Sequence, residues 1–180
     1  MMGRVIVDDL LTRLAGLPSS VNRDAYFAFV SAVGDVALRR DGGPQHITGS
    51  CFVFSLDLQH LLLCFHRKGR FWVQFGGHIE PLDATVAATA QREAREESGI
   101  TDLVLLSDSI VDLDRHDLAG GFRCDAHWDV GFVALTSMDA ELAVSDESED
   151  VRWFSVRALP SAVPDGFETR LAKVLTGICR

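Results

Sequence analysis

The sequence has few cysteines, and no two of them stand at C-x-x-C spacing. The four thiols are Cys51, Cys64, Cys124 and Cys179, scattered along 180 residues. This spacing excludes a zinc-knuckle motif and a dense disulfide framework. We therefore expect reduced thiols, as in a cytoplasmic protein.

The sequence also lacks long hydrophobic runs and an excess of positive charge. The apolar run at residues 5–7 is too short for a signal peptide, and no run approaches the length of a membrane-spanning helix. With 26 acidic and 17 basic residues, the net charge is −9, which argues against binding to bulk nucleic acid. A phosphorylated small molecule could still bind if a metal ion supplied local positive charge.

Hydrophobic periodicity predicts an order of two helices, three strands, a helix, three strands and a helix. Because the strands and helices do not follow a regular βαβ repeat, we expect a mixed sheet with helices on both faces. We predict two parts, an N-terminal helical extension packed on the core (1–44) and a main domain (45–180). The predicted helices are 5–16, 23–40, 84–98 and 165–178, and the predicted strands lie within 46–56, 60–66, 70–75, 103–114, 126–136 and 151–156.

Several carboxylates crowd the end of the third predicted helix, which follows two glycines read as a turn. Asp83 is placed to cap that helix at Ala84. Glu93, Glu96 and Glu97 have i, i+3 and i+4 spacing, so their like charges share one face and repel. A hard cation such as Mg²⁺ would compensate these charges. Arg92 lies one turn before Glu96 and could orient the Glu96 carboxylate. The alternative is an ordinary solvated helix end.

The stretch "REAREESGI", Arg92 to Ile100, resembles the second half of the Nudix box at every position. Gly77 stands at the glycine that opens the box. The first half departs from the pattern at three points. Asp83 replaces the usual Glu, and eight residues rather than seven separate it from Arg92. Leu82 replaces a glycine that is common before that acid. The similarity extends over about residues 46–160. The chain is also similar to an actinobacterial-type subgroup of the family that has an N-terminal helical extension.

The resemblance implies a Nudix-type α/β/α sandwich that uses Mg²⁺ or Mn²⁺. The implied activity is that of a pyrophosphohydrolase acting on acid anhydrides, which cleaves a diphosphate bond in a nucleoside diphosphate derivative. A distal acid also contributes in this family, and Glu147 and Glu149 are both available. The implied catalytic residues are Arg92, Glu93 and Glu97, and the implied metal ligands are Gly76, Glu93, Glu96, Glu97 and Glu147.

Three histidines and an aspartate lie at positions that the box does not require. His127 and Asp129 alternate along one predicted strand and so share a face. The sequence is also similar in this respect to isopentenyl-diphosphate isomerase, a divergent relative whose metal-binding residues occupy comparable positions. That similarity implies a second, transition-metal site at His46, His78, His127 and Asp129, suited to Zn²⁺, Mn²⁺ or Fe²⁺. The alternative is a set of unrelated polar histidines.

Substrate contacts are expected outside the box. Arg67 and Lys68 at a hairpin end could bind phosphates, and Trp72 could stack on a base, although a solvated turn and a core aromatic explain them as well. Specificity is expected in loops such as 114–127.

Two alternative functions remain open at this stage. One is an isomerase-like enzyme. Gly76 argues against it, because that isomerase has its catalytic cysteine at the corresponding position. The other is a non-catalytic nucleotide sensor. The N-terminal helices could form a homodimer contact or cover the site.

Overall fold

The computed structural model describes residues 2–118 and 124–179. A 3₁₀ helix at Gly34–Leu38 links the N-terminal helices to the sheet. Within the described part, the helices are α1 (Met2–Gly16), α2 (Val21–Val33), α3 (Val86–Ser98) and α4 (Phe167–Ile178), and the strands are β1 (Gln45–Ser55), β2 (His60–His66), β3 (Phe71–Val73), β4 (Phe75–His78), β5 (Asp112–Asp117), β6 (Ala126–Thr136) and β7 (Ser148–Ser155).

Strand β1 is the centre of a mixed sheet with the strand order β3-β2-β1-β6-β5. It pairs in parallel with β6 over its whole length, from Gln45 opposite Ala126 to Ser55 opposite Thr136. The other edge of β1 is divided between two antiparallel partners. Its first half pairs with β4 and its second half with β2, which also pairs with β7.

The two faces of the sheet are buried by different helices. Alternate residues of β1, such as Ile47 and Val53, join the cluster that contains α1, α2 and α3. The residues between them, Phe52 and Phe54, join the cluster formed by α4, whose Phe167 is fully buried. Because successive strand residues point to opposite faces, the sheet lies between two helical layers. This arrangement confirms the predicted α/β/α sandwich.

The N-terminal helices share the core of the sheet. Tyr26 of α2 packs edge-on against Trp128 of β6, with ring centroids 4.9 Å apart. Its hydroxyl donates a hydrogen bond of 2.7 Å to the backbone carbonyl of Asp129. A boundary between an extension (1–44) and a main domain (45–180) stays a prediction. No helix in the described residues is long and apolar enough to span a bilayer.

Two predicted elements are shorter than expected. The helix predicted at 23–40 ends at Val33, because Gly34 adopts a left-handed φ of 68° and the chain continues as a 3₁₀ helix. The strand predicted at 103–114 begins only at Asp112, with a single bridge from Leu105 to the sheet before it. Arg13 of α1 holds the intervening chain through the backbone carbonyl and the carboxylate of Asp108, at 2.6 and 2.9 Å.

Candidate active site

Helix α3 begins later than predicted, and Asp83 does not cap it. Thr85 is the cap, since its hydroxyl accepts the backbone N–H of Ala88 at 3.1 Å. The prediction that Asp83 caps a helix beginning at Ala84 is therefore wrong. The threonine hydroxyl is correctly placed for the first turn, which leaves the Asp83 carboxylate free to make other contacts.

Asp83 instead holds Arg92, two turns further along α3. Its two carboxylate oxygens accept from Nε and Nη2 of Arg92 at 3.1 and 3.0 Å. One of them also accepts from the Thr89 hydroxyl and from the backbone N–H of Glu80, each at 2.9 Å. Burial favours the protonated acid, but the Arg92 guanidinium and these donors prevail and lower the pKa of Asp83. A buried carboxylate thus fixes the arginine of the box.

The other N–H groups of the Arg92 guanidinium point to the box carboxylates and to β4. Its Nη1 donates to Glu93 and to Glu96, at 3.0 Å in each case. Its Nη2 donates to the backbone carbonyl of His78 at 2.9 Å, which ties α3 to the end of β4. The guanidinium therefore orients two carboxylates at once, including the Glu96 contact expected from helical spacing.

The two glycines before His78 belong to a strand and do not form the predicted turn. Gly76 and Gly77 lie in β4, opposite Ser50 and Gly49 of β1. A Cβ atom at Gly77 would overlap the carboxylate of Glu93, and one at Gly76 would lie 2.7 Å from Cβ of Ser50. Gly77 therefore lets the Glu93 carboxylate approach the strand closely, and Gly76 lets β4 lie close to β1. The backbone N–H of Gly76 also donates to Oε2 of Glu97 at 2.9 Å.

The carboxylates of α3 lie in contrasting environments. Glu97 is only 5% exposed, whereas the side chain of Glu96 is 58% exposed. Burial, together with the negative charges of neighbouring glutamates, raises the pKa of Glu97 to about 8. Burial also raises the pKa of Glu93 to about 7, although Arg92 acts in the opposite direction. Both acids therefore lack sufficient positive charge nearby, which is the condition that a bound divalent cation would relieve.

Of the two distal acids, Glu147 is the one near α3. Its negative charge contributes to the raised pKa of both Glu93 and Glu97. Glu149 instead forms an ion pair with Arg70 at the surface. Glu147 therefore stays the predicted distal acid.

The three predicted histidines converge, but Asp129 does not join them. The ring centroids of His46, His78 and His127 lie 4.8, 4.9 and 5.1 Å apart. The fourth donor is Cys124, and the four ligand atoms all lie within 4.8 Å of one another. Sequence reasoning missed Cys124, although its position three residues before His127 was a usable signal.

Asp129 is engaged further along the same face of the sheet. Its carboxylate accepts from the hydroxyls of Thr48, at 2.9 Å, and Ser50. It lies 3.7 Å from Arg170 of α4, which also pairs with Asp112 and Asp114. Asp129 is thus part of a buried network that ties α4 to the sheet.

The predicted substrate-contacting residues differ in their surroundings. Arg67 and Lys68 are exposed, and Arg67 donates to the backbone carbonyl of Ser148 at 3.0 Å. Trp72 is half-buried between Phe65 and Phe154, with ring centroids at 5.2 and 4.7 Å, so it takes part in packing. In the loop predicted to set specificity, 114–127, residues 119–123 lie outside the described residues.

The sequence comparison with protein families decides the assignment. The NUDIX domain matches residues 44–176, which is most of the chain. The chain belongs to the Nudix family. Membership supports the predicted enzyme class, a pyrophosphohydrolase acting on acid anhydrides.

One curated Nudix relative matches part of the chain. A Mycobacterium tuberculosis protein provisionally named mutator protein MutT4 is 36% identical over 110 residues, 60% of this chain and 42% of that protein. The chain thus spans less than half of the length of this relative.

Two solved structures share the fold at low identity. A C. elegans Ap4A hydrolase has a TM-score of 0.61 at 16% identity, with 74% of this chain and 97% of that chain covered. The Nudix domain of Shewanella oneidensis NrtR, complexed with ADP-ribose, has a TM-score of 0.57 at 19% identity, with 74% and 88% covered.

Proposed function

We propose that this Nudix protein is a metal-dependent hydrolase that cleaves a diphosphate bond in a nucleoside diphosphate derivative. The observation that carries the proposal is a pair of acids on α3, the partly buried Glu93 and the buried Glu97, held against the glycines of β4. Burial and the negative charges of neighbouring glutamates raise the pKa of Glu93 to about 7 and that of Glu97 to about 8. Such a pair is unfavourable for stability alone and suits a site that receives a cation.

The donor set supports Mg²⁺ or Mn²⁺. The proposed ligands are all oxygens, the type that these hard cations prefer. A cation bound there would neutralise negative charge on the diphosphate and lower the pKa of a coordinated water. The proposed ligands are the carboxylates of Glu93, Glu96, Glu97 and Glu147 and the backbone carbonyl of Gly76.

Each residue of the box has a distinct proposed role. Glu93, whose carboxylate packs against Gly77, is the proposed general base that accepts the proton of the attacking water. Glu97 is fixed by the Gly76 N–H, so its orientation does not depend on substrate. Arg92, anchored by Asp83, holds Glu93 and Glu96 in register. We treat Arg92 as a positioning residue.

The substrate class is supported by the site and by relatives. Ap4A and ADP-ribose, named for two structural relatives, both contain nucleoside phosphoanhydride groups. Arg67 and Lys68 are exposed, and the backbone N–H of Arg67 donates to the carbonyl of Glu147, just before β7, at 3.1 Å. Both side chains are therefore available to contact substrate phosphates.

A substrate screen with product identification tests the proposal. Nucleoside diphosphate sugars, ADP-ribose, dinucleoside polyphosphates and nucleoside triphosphates would be incubated with Mg²⁺, Mn²⁺ or EDTA, and products resolved by chromatography. We expect cleavage of at least one compound at a phosphoanhydride bond, only when a divalent ion is present. Glu93→Gln should lower the rate about 100- to 10,000-fold, the usual contribution of a general base.

The controls separate hydrolysis from the two alternatives. The Glu141→Gln variant removes an exposed carboxylate outside the box and should retain full activity. Tight binding of a nucleotide without turnover would support the sensor alternative and overturn the proposal. Conversion of isopentenyl diphosphate without hydrolysis would support the isomerase alternative, with the same consequence.

A further inference from the structure

A second group of ligand-type side chains lies on the face of β4 opposite Glu93. His78 directly follows Gly77 in β4, so the two residues face opposite sides of the strand. His46 of β1 and His127 of β6 are directly paired across the parallel ladder. Cys124, two residues before β6, completes the group. The group therefore joins three strands and the segment that leads into β6.

Several buried ring nitrogens of this group have no hydrogen-bond partner among residues 2–118 and 124–179. His46 is fully buried, and neither of its ring nitrogens has a hydrogen-bond partner among the described residues. The buried Nε2 of His78 also has none there. The Cys124 thiol lies 3.4 Å from Nε2 of His127. Unpaired buried imidazole nitrogens are costly, and their convergence indicates a missing ligand.

The spacing is close to that of a tetrahedral metal site. With Zn–N bonds of about 2.0–2.1 Å, ligand nitrogens of a tetrahedral zinc site stand about 3.4 Å apart. The four ligand atoms here all lie within 4.8 Å of one another. Small side-chain rotations would therefore close them around one ion, with no movement of the strands.

We propose that His46, His78, His127 and Cys124 form a closed four-ligand site for Zn²⁺. Three imidazoles and one thiolate are donors that suit Zn²⁺ and do not suit Mg²⁺. Four protein ligands leave no open coordination position, which is the pattern of a structural site. The site is independent of the proposed hydrolase function and lies on the other side of β4.

Asp129 is excluded from this site by its own contacts. Thr48, Ser50 and Arg170 already occupy the surroundings of its carboxylate. It is the next residue after His127 on the same face, about two strand residues or 7 Å along β6. The thiol of Cys124, and not the carboxylate of Asp129, completes the ligand set.

The consequence for the fold is local. An ion bound here would fasten the chain entering β6 to β1 and to the end of β4. Glu93 and Glu97 pack against Gly76 and Gly77 of β4. The zinc site would therefore stabilise this strand from the opposite face.

Substitution with Co²⁺ tests both the site and its ligands. The purified chain would be stripped of metal, titrated with Co²⁺ or Zn²⁺, and examined by absorption spectroscopy and elemental analysis. We expect one tightly bound ion per chain, in addition to any ion at the α3 carboxylates, with tetrahedral d–d bands and a thiolate-to-cobalt charge-transfer band. Cys124→Ser should abolish the charge-transfer band and weaken Zn²⁺ binding at least tenfold, and His78→Ala should weaken it likewise.

Matched variants identify the donors. Cys179→Ser removes an exposed thiol and should leave the spectrum unchanged, as should Asp129→Asn if it folds. Glu97→Gln should leave zinc binding intact, so failure of the hydrolase proposal would not affect this result. The inference is overturned if the wild-type chain retains no Zn²⁺, if the charge-transfer band survives in Cys124→Ser, or if metal is lost in Asp129→Asn but kept in Cys124→Ser.

Discussion

Replacing Asp83 tests how the arginine of the Nudix box is held. Asp83→Ala removes a buried carboxylate that accepts two hydrogen bonds from Arg92, one from Thr89 and one from the backbone of Glu80. Removing one partner of a buried ion pair costs about 3–5 kcal/mol. Because Arg92 is only partly buried and retains Glu93 and Glu96, we expect a smaller cost than this range, about 2–3 kcal/mol. At about 2–4 °C per kcal/mol for a domain of this size, the melting temperature should fall by about 5–10 °C.

Two further variants provide stability costs with which the cost of Asp83→Ala is compared. Thr85→Ala removes the actual helix cap and should cost about 1 kcal/mol. Glu149→Gln breaks an exposed ion pair with Arg70 and should cost less than about 1 kcal/mol. Urea denaturation would measure all three as changes in the midpoint at constant slope. The account of Arg92 is refuted if Asp83→Ala costs no more than Thr85→Ala, because Asp83 would then contribute no more than a helix cap does.

Two other consequences concern the acids of α3. Gly77→Ala should displace the Glu93 carboxylate and lower activity about 100-fold, whereas Gly177→Ala in α4, where a Cβ meets open space, should leave activity unchanged; equal rates for the two variants would contradict the packing argument. Because burial raises the pKa of Glu97 to about 8 from the ordinary 4.5, the folded metal-free protein holds a proton that the unfolded chain releases. Its melting temperature should therefore fall as pH rises from 4.5 to 8, less so in Glu97→Gln, and Mg²⁺ should restore it at pH 8; a wild-type slope no steeper than that of Glu97→Gln would refute this assignment.

The helix of the box was predictable because its chemistry is local. Spacing alone places Glu93, Glu96 and Glu97 on one face, and the same spacing brings Arg92 to Glu96. The contacts of Asp83 were not predictable, because the helix begins at Val86, two residues later than predicted, and Thr85 caps its first turn. Once Thr85 caps the helix, the carboxylate of Asp83 is free to bind Arg92.

Features that depend on strand pairing were harder to derive from sequence. Gly76-Gly77 suggests a turn by composition, but pairing with β1 draws the two glycines into a strand, where the missing side chain of Gly77 admits Glu93. The similarity to the isomerase predicted that His46, His78, His127 and Asp129 converge, and the three histidines do. The exchange of Asp129 for Cys124 depends on the register of β1 and β6, which brings Thr48 and Ser50 to the Asp129 carboxylate and which no local pattern specifies.

The Mg²⁺ dependence of hydrolysis in wild type and Glu97→Gln tests the central claim most directly. The rate on the best substrate would be measured over a range of free Mg²⁺, with Glu141→Gln as the matched exposed-carboxylate control. The account predicts saturable dependence in the wild type and the control. In Glu97→Gln it predicts a rate lower by orders of magnitude and a higher Mg²⁺ requirement. Equal rates and equal Mg²⁺ requirements in the wild type and Glu97→Gln would contradict it.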